Sequence, residues 1–184
     1  MTNCVSKMTE PEVSLSVAVY YIERGDVVGD VIVSLDGAHM RVKGSVYFDV
    51  PLFMCGKGYE KVENDAPKRE VYQNKAHSSR VIVERKSGQG DVVFSAKDGR
   101  SFFVESKKFK GGNSPEYPAM REAIGQLMTG QCPHDSIPVV AVPYTDTSKK
   151  LAEKWLENSN RLGEAGVCFM LVKPDGSVAF VSAK

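Results

Sequence analysis

The chain has little cysteine, a single tryptophan and no long apolar run. Cys4, Cys55, Cys132 and Cys168 are scattered and form no C-x-x-C. That spacing excludes a disulfide scaffold and a four-cysteine zinc ribbon, and it predicts reduced, mostly buried thiols. Cys132-Pro-His134 brings two metal-type side chains close in sequence, but no second pair stands at zinc-like spacing. No stretch nears the roughly 20 apolar residues needed to span a bilayer, and the first residues lack the order of a signal peptide. A soluble, cytoplasmic protein with no membrane partner is expected. An excess of one charge is missing too: 24 Lys and Arg stand against 23 Asp and Glu, a net charge of +1. A nucleic-acid surface would therefore have to be a local patch.

What is present fits one domain of ordinary size. The 184 residues are 42% hydrophobic, enough for a sizeable core. The most informative stretch is 91–107. Asp91 to Ala96 is rich in β-branched and aromatic residues, Lys97-Asp98-Gly99-Arg100 has the chemistry of a tight turn, and Ser101 to Phe109 reads as a second strand. Period-two alternation puts Ser101, Phe103, Glu105 and Lys107 on one face. If the hairpin brings Asp91 alongside, two carboxylates and an ammonium converge. Such a set suits a hard cation such as Mg²⁺, and a nearby ammonium can orient a water or offset developing charge.

Around this hairpin the order of elements is readable. Thr9-Glu-Pro-Glu12 resembles a capping box and predicts a helix to about Arg24, although Val13, Leu15, Val17 and Val19 also alternate as a strand does. Strand-like runs follow at 31–35 and 45–50, with turns at Asp36-Gly37 and Lys43-Gly44. Residues 55–68 read as a polar connector, 67–76 as a short helix, 80–85 as a strand and 86–90 as a loop. Ala119 to Thr129 carries the stripe Met120, Ile124, Leu127 and Met128 of a helix. The last third predicts a β-α-β unit: strand 137–143, a helix from Ser148 to about Leu162 capped near Thr145, strand 167–172, and a hairpin to 178–181.

Asp91, then Glu105-x-Lys107 at a strand end, then the helical Glu-Ala-Ile-Gly-Gln-Leu containing Gln126, resembles the signature of the PD-(D/E)XK nuclease superfamily. Gly90 stands where that signature has proline, and Gly130 where some members carry an aromatic. The resemblance implies an α/β chain with a restriction-endonuclease-like αβββαβ core, its mixed central sheet flanked by helices. The order of elements matches over about 66–181. Residues 56–184 would form the nuclease-like domain. Residues 1–55 would form an N-terminal extension, either extra strands and a helix or a small nucleic-acid-reading element.

The resemblance also implies a function: metal-dependent hydrolysis of phosphodiester bonds, most naturally in double-stranded DNA, with RNA as a second substrate class. Asp91, Glu105 and the carbonyl of Ser106 would hold Mg²⁺ or Mn²⁺. Lys107 would position or deprotonate the attacking water, and Gln126 would steady the lysine or the phosphate. Glu70, ahead of Glu60 and Glu63, is the candidate for the additional glutamate that members often carry on a helix before the Asp strand. Lys108, Lys110 and Arg121 are candidate phosphate contacts. Each of these side chains also has a plain solvated reading. The different-class alternative is a catalytically silent nuclease-fold subunit that binds nucleic acid or a partner protein. The length is compatible with a homodimer or with one subunit of a larger complex.

Overall fold

The structure, a computed structural model, describes residues 8–35, 41–42, 45–46, 48–63, 66, 68–85, 90–111 and 114–183. The turns expected at Asp36-Gly37 and Lys43-Gly44 and the loop 86–89 fall outside these residues. Helix α1 spans Glu10–Glu23 and leads into strand β1, Val27–Ser34. A two-stranded ribbon, β2 (Arg41–Val42) with β3 (Ser45–Val46), precedes helix α2, Val50–Gly56. Three strands follow: β4 (Glu60–Val62), β5 (Arg69–Gln73) and β6 (Arg80–Glu84). The central hairpin is β7 (Val92–Ala96) and β8 (Ser101–Ser106). Then come helix α3 (Glu116–Thr129), β9 (Ser136–Pro143), helices α4 (Asp146–Asn158) and α5 (Asn160–Glu164), β10 (Cys168–Val172) and β11 (Val178–Val181).

The protein is α/β. Its mixed sheet has nine strands among the described residues, in the order β11-β10-β9-β8-β7-β1-β6-β5-β4. β1, β7 and β8 pair antiparallel in turn, β9 joins β8 in parallel, and β6 lies parallel to β1 on the other side. Helix α1 packs across β1, β7, β8 and β9, so residues 10–34 share the core of the central hairpin. On the opposite face α3 lies over β8 and β9, and α4 over β10. Among the described residues no helix is long and apolar enough to cross a membrane.

Several expectations meet the structure directly. Thr9 caps α1: its hydroxyl accepts from the Glu12 amide at 3.3 Å, and the Glu12 carboxylate accepts from the Thr9 amide at 3.2 Å. The alternation at Val13, Leu15, Val17 and Val19 has a simple cause. The helix is enclosed, with Ser14, Ser16 and Ala18 buried as well, so its apolar residues are not confined to one stripe.

Other expectations are corrected. The helix expected over 67–76 is strand β5, because Val71 and Tyr72 find buried places on the sheet against Ile82 and Val81. Packing overrides the start signal of Pro67. The run 45–50 does not continue as a strand: Asp49 caps α2 by accepting from the Leu52 amide at 2.9 Å. The helix expected from 148 to 162 breaks at Ser159, whose backbone is extended and whose hydroxyl caps α5.

Candidate active site

The hairpin places Asp91, immediately before β7, and Glu105, near the end of β8, at one rim of the sheet. Its turn forms as the sequence predicts, with Gly99 at φ 86° and the Asp98 carboxylate accepting from the Arg100 amide at 3.1 Å. From there the register runs Ser95 with Ser101, Val93 with Phe103 and Val92 with Val104. The Asp91 amide donates to the Val104 carbonyl at 2.8 Å, and Asp91 Oδ2 accepts from the Ser106 amide at 2.7 Å. The side chain of Asp91 thus takes the place of a backbone partner just where β8 ends. Beyond it the Lys107 amide donates to the Ala141 carbonyl of β9 at 2.9 Å.

Gly90 precedes Asp91 in a left-handed backbone conformation. Its φ is +75°, which the ring of proline forbids and other side chains rarely adopt. A Cβ at this position would also lie 2.8 Å from Cζ of Phe103. The chain enters β7 over the Phe103 ring, and that entry sets the position of Asp91 just before the strand.

Lys107 is the centre of the charge cluster. Only 7% of its side chain is exposed, and its Nζ lies 3.0 Å from Glu105 Oε1 and 3.4 Å from Glu10 Oε1. Both glutamate side chains are 13% exposed. Burial and the neighbouring Glu105 carboxylate raise the Asp91 pKa from 3.8 to about 7, with Glu10 adding to the rise against the Ser106 hydrogen bond and Lys107. Burial also raises that of Glu105, opposed by Lys107 and reinforced by Glu10 and Glu122. For Lys107, burial works against the charge, but Glu105, Glu10 and Asp91 together outweigh it and raise the pKa. The ammonium is therefore held charged at neutral pH.

Glu10 is the residue that sequence reasoning missed. It is the first residue of α1, and the Thr9 cap sets the helix start that carries it to the rim. Glu70 takes no part in the cluster: it accepts from the Tyr72 hydroxyl at 2.7 Å and pairs with Lys61 at 3.5 Å and Arg85 at 3.6 Å. It sits on β5, with β6 and β1 standing between it and β7. Glu60 lies on the edge strand β4, with Lys75 at 3.4 Å. The available signal for Glu10 was the expected glutamate on a leading helix. In the fold β1, and not the strand near residue 80, opens the antiparallel run that α1 leads into.

The remaining candidates are distributed around this point. Ser106 is fully buried, its amide engaged by Asp91 and its hydroxyl without a hydrogen-bond partner among the described residues. Gln126 is exposed on α3, and its side chain makes no hydrogen bond among the described residues. It shares a helix flank with Glu122, one turn earlier, whose charge reaches Glu105. Lys110 is exposed and pairs with Glu122 at 3.4 Å, and Lys108 is half-buried next to Lys107. Arg121 stacks over the Tyr117 ring at 5.5 Å, on the flank facing Trp155 of α4.

The donor set is one a hard cation accepts: the carboxylate oxygens of Asp91 and Glu105, both with their pKa raised first by burial, beside the backbone of Ser106 where its amide meets Asp91. Among the described residues no three His, Cys, Asp or Glu side chains stand placed to hold a metal ion together. Glu10 and Glu105 close instead on the Lys107 ammonium. No protein-family model, no curated protein and no solved structure matches the chain.

Proposed function

We propose that the protein is a metal-dependent nuclease, with DNA as the first substrate to test. The observation that carries this reading is the meeting of Asp91, Glu105 and Lys107 at one rim, joined there by Glu10 from the leading helix. The order of elements supports it. Helix α1, the antiparallel run β1-β7-β8, helix α3 and the parallel strand β9 follow the αβββαβ order of a restriction-endonuclease-like core, with β2 to β6 inserted after β1.

Asp91 and Glu105, with the Ser106 carbonyl, would bind Mg²⁺ or Mn²⁺. A bound divalent cation would supply charge to a phosphoryl oxygen and acidity to a water. Ionisation of Asp91, resisted by burial and Glu105, would be favoured on binding. Lys107, kept by Glu10, would turn from Glu105 to donate hydrogen bonds to the attacking water or the phosphate. Its raised pKa favours that electrostatic role over taking a proton. Glu10 would hold the ammonium in place. Gln126, exposed one turn after Glu122 on the same helix flank, would contact the substrate strand.

The test is plasmid cleavage in Mg²⁺ against EDTA, repeated with Lys107→Ala after circular dichroism has checked its fold. Loss of cleavage under both changes is expected. Cleavage that survives both overturns the reading. The silent-subunit alternative draws on one observation, the closure of Glu10 and Glu105 on the Lys107 ammonium. Titration calorimetry with Mn²⁺ separates the two: no heat of binding, alongside retained binding of DNA or of a protein partner, favours the silent subunit.

A further inference from the structure

The two edges of the sheet differ. β4, at one end, is three residues long and carries the charges of Glu60 and Lys61. Shortness and charge keep an edge from pairing with another chain. β11, at the other end, runs Val178-Ala-Phe-Val181 with no charge and no proline, and its register with β10 has no bulge. Phe180 is 38% exposed on it.

The hairpin shows which way the backbone groups of β11 point. The Lys173 amide donates to the Ser177 carbonyl at 2.9 Å, and the Tyr144 amide beyond β9 donates to the Val172 carbonyl at 2.6 Å. The pairs that exchange hydrogen bonds are therefore Leu171 with Ala179 and Phe169 with Val181. The amides and carbonyls of Val178 and Phe180 point away from β10, and no described residue hydrogen-bonds to them. The Phe180 ring lies on the α1 side, edge-on to Phe102 at 6.2 Å, while Ala179 and Val181 lie on the α4 side. On that side a groove of about 510 Å³ follows the strand, lined also by Lys149 and Glu153 of α4.

We propose that β11 is the edge by which two copies of this chain join, antiparallel about a two-fold axis, into one continuous sheet. Two identical uncharged strands satisfy each other's outward amides and carbonyls, with Phe180 opposite the partner's Phe180. The charges are self-complementary too. α4 returns from β9 to the parallel strand β10, so it runs in the direction of β11, and the two-fold sets the two copies of α4 in opposite directions on one face. β10 and its copy then stand three strand spacings apart, roughly 14 Å. Lys149 and Glu153 are 3.8 Å apart and 49% and 46% exposed, so each is available to the opposite charge on the partner's α4. A peptide of one charge would meet both signs in the groove, whereas a second copy supplies both.

Sedimentation velocity of the full chain, from about 1 to about 300 µM, tests this. A strand pair of this length is small beside the roughly 1,200–2,000 Å² of standard interfaces, so half-dissociation is expected on the order of 10 µM. Amide exchange across residues 178–182 should slow as the concentration rises. Phe180→Lys, which sets like charges across the axis, should raise the dissociation constant at least about tenfold. Lys149→Glu, on the exposed flank of α4, should raise it about threefold, and Lys149→Glu/Glu153→Lys should restore it. Melting curves check that each variant folds. A chain that stays monomeric throughout overturns the proposal, leaving the edge to a different partner. So does a dimer that folded Phe180→Lys leaves intact, or one that forms without added protection at 178–182. The two-fold sends the two proposed nuclease sites to opposite rims of the joined sheet, so pairing is no part of cleavage. Any Mg²⁺-dependent cutting per chain should thus stay within about twofold in Phe180→Lys. A chain that dimerises through β11 but cuts nothing keeps this interface and discards the nuclease, and a monomer that cuts does the reverse.

Discussion

Glu10 and Lys107, 97 positions apart, meet with their charged atoms 3.4 Å apart beneath the rim of the sheet. Together with Glu105 they form a bridge of which every side chain is at least 87% buried, as 13% or less of each is exposed. Removing the ammonium that Glu10 and Glu105 share breaks this buried bridge, and breaking a buried pair in that way costs about 3–5 kcal/mol. Lys107→Met should therefore lower the unfolding free energy by that amount at neutral pH, read as a fall in the urea midpoint at unchanged m-value. Mg²⁺ should raise the melting temperature of the variant more than that of the original protein. Equal shifts would count against cation binding at this point.

Asp91 predicts a pH dependence of definite sign. Its pKa rises from 3.8 to about 7 in the folded state, first through burial and then through Glu105. Between those values the folded protein holds a proton that the unfolded chain has lost. The contribution of this group is thus complete below about pH 4 and disappears as pH rises through 7. Urea unfolding at intervals from pH 4 to 8 should show the original protein losing stability relative to Asp91→Asn across that window. Saturating Mg²⁺, by favouring the ionised acid, should flatten the difference. A difference that grows in the opposite direction would mean that Asp91 is stabilised as a carboxylate.

Local chemistry was legible in the sequence. The Thr9 capping box, the Asp98-Gly99 turn and the same-face relation of Glu105 to Lys107 depend on neighbours a few residues apart. What depended on distant packing was not. Glu10 reaches Lys107 only because α1 crosses the sheet, and the long insertion between β1 and β7 hides that β1 opens the run. Glu70 looked helical by its upstream proline, whereas Val71 and Tyr72 are drawn into the sheet. The enclosed α1 shows the same limit from the other side: a helix buried all round carries no stripe to read.

Gly90 couples backbone and site. Its φ of +75° and the Phe103 ring 2.8 Å from a would-be Cβ are two separate obstacles to any side chain. Gly90→Ala should cost about 1–3 kcal/mol in thermal or urea unfolding. Adding Phe103→Leu should return only part, because it relieves the contact and leaves the backbone strain, and the two changes should be non-additive. Full recovery in the double variant would show that the strain of the left-handed backbone is negligible here.

Glu10 and Glu70 make opposite predictions for the proposed reaction, and the contrast tests which glutamate belongs to the site. Glu10 touches the Lys107 ammonium, whereas Glu70 is tied to Tyr72, Lys61 and Arg85 on β5. Glu10→Gln keeps the size and hydrogen-bonding reach of the side chain and removes the charge that holds Lys107 in position. Mg²⁺-dependent cleavage should fall about ten- to a hundredfold, with the loss in kcat more than in KM, since the ammonium would act as charge develops in the transition state. Glu70→Gln should leave cleavage within about twofold. It should instead lower stability by about 1 kcal/mol through the lost pairing on a half-exposed strand and the weakened acceptor for Tyr72. Initial rates for the two variants at matched, saturating Mg²⁺ decide the matter. A large loss of kcat with Glu70→Gln and none with Glu10→Gln would return the additional glutamate to β5 and remove Glu10 from the reaction.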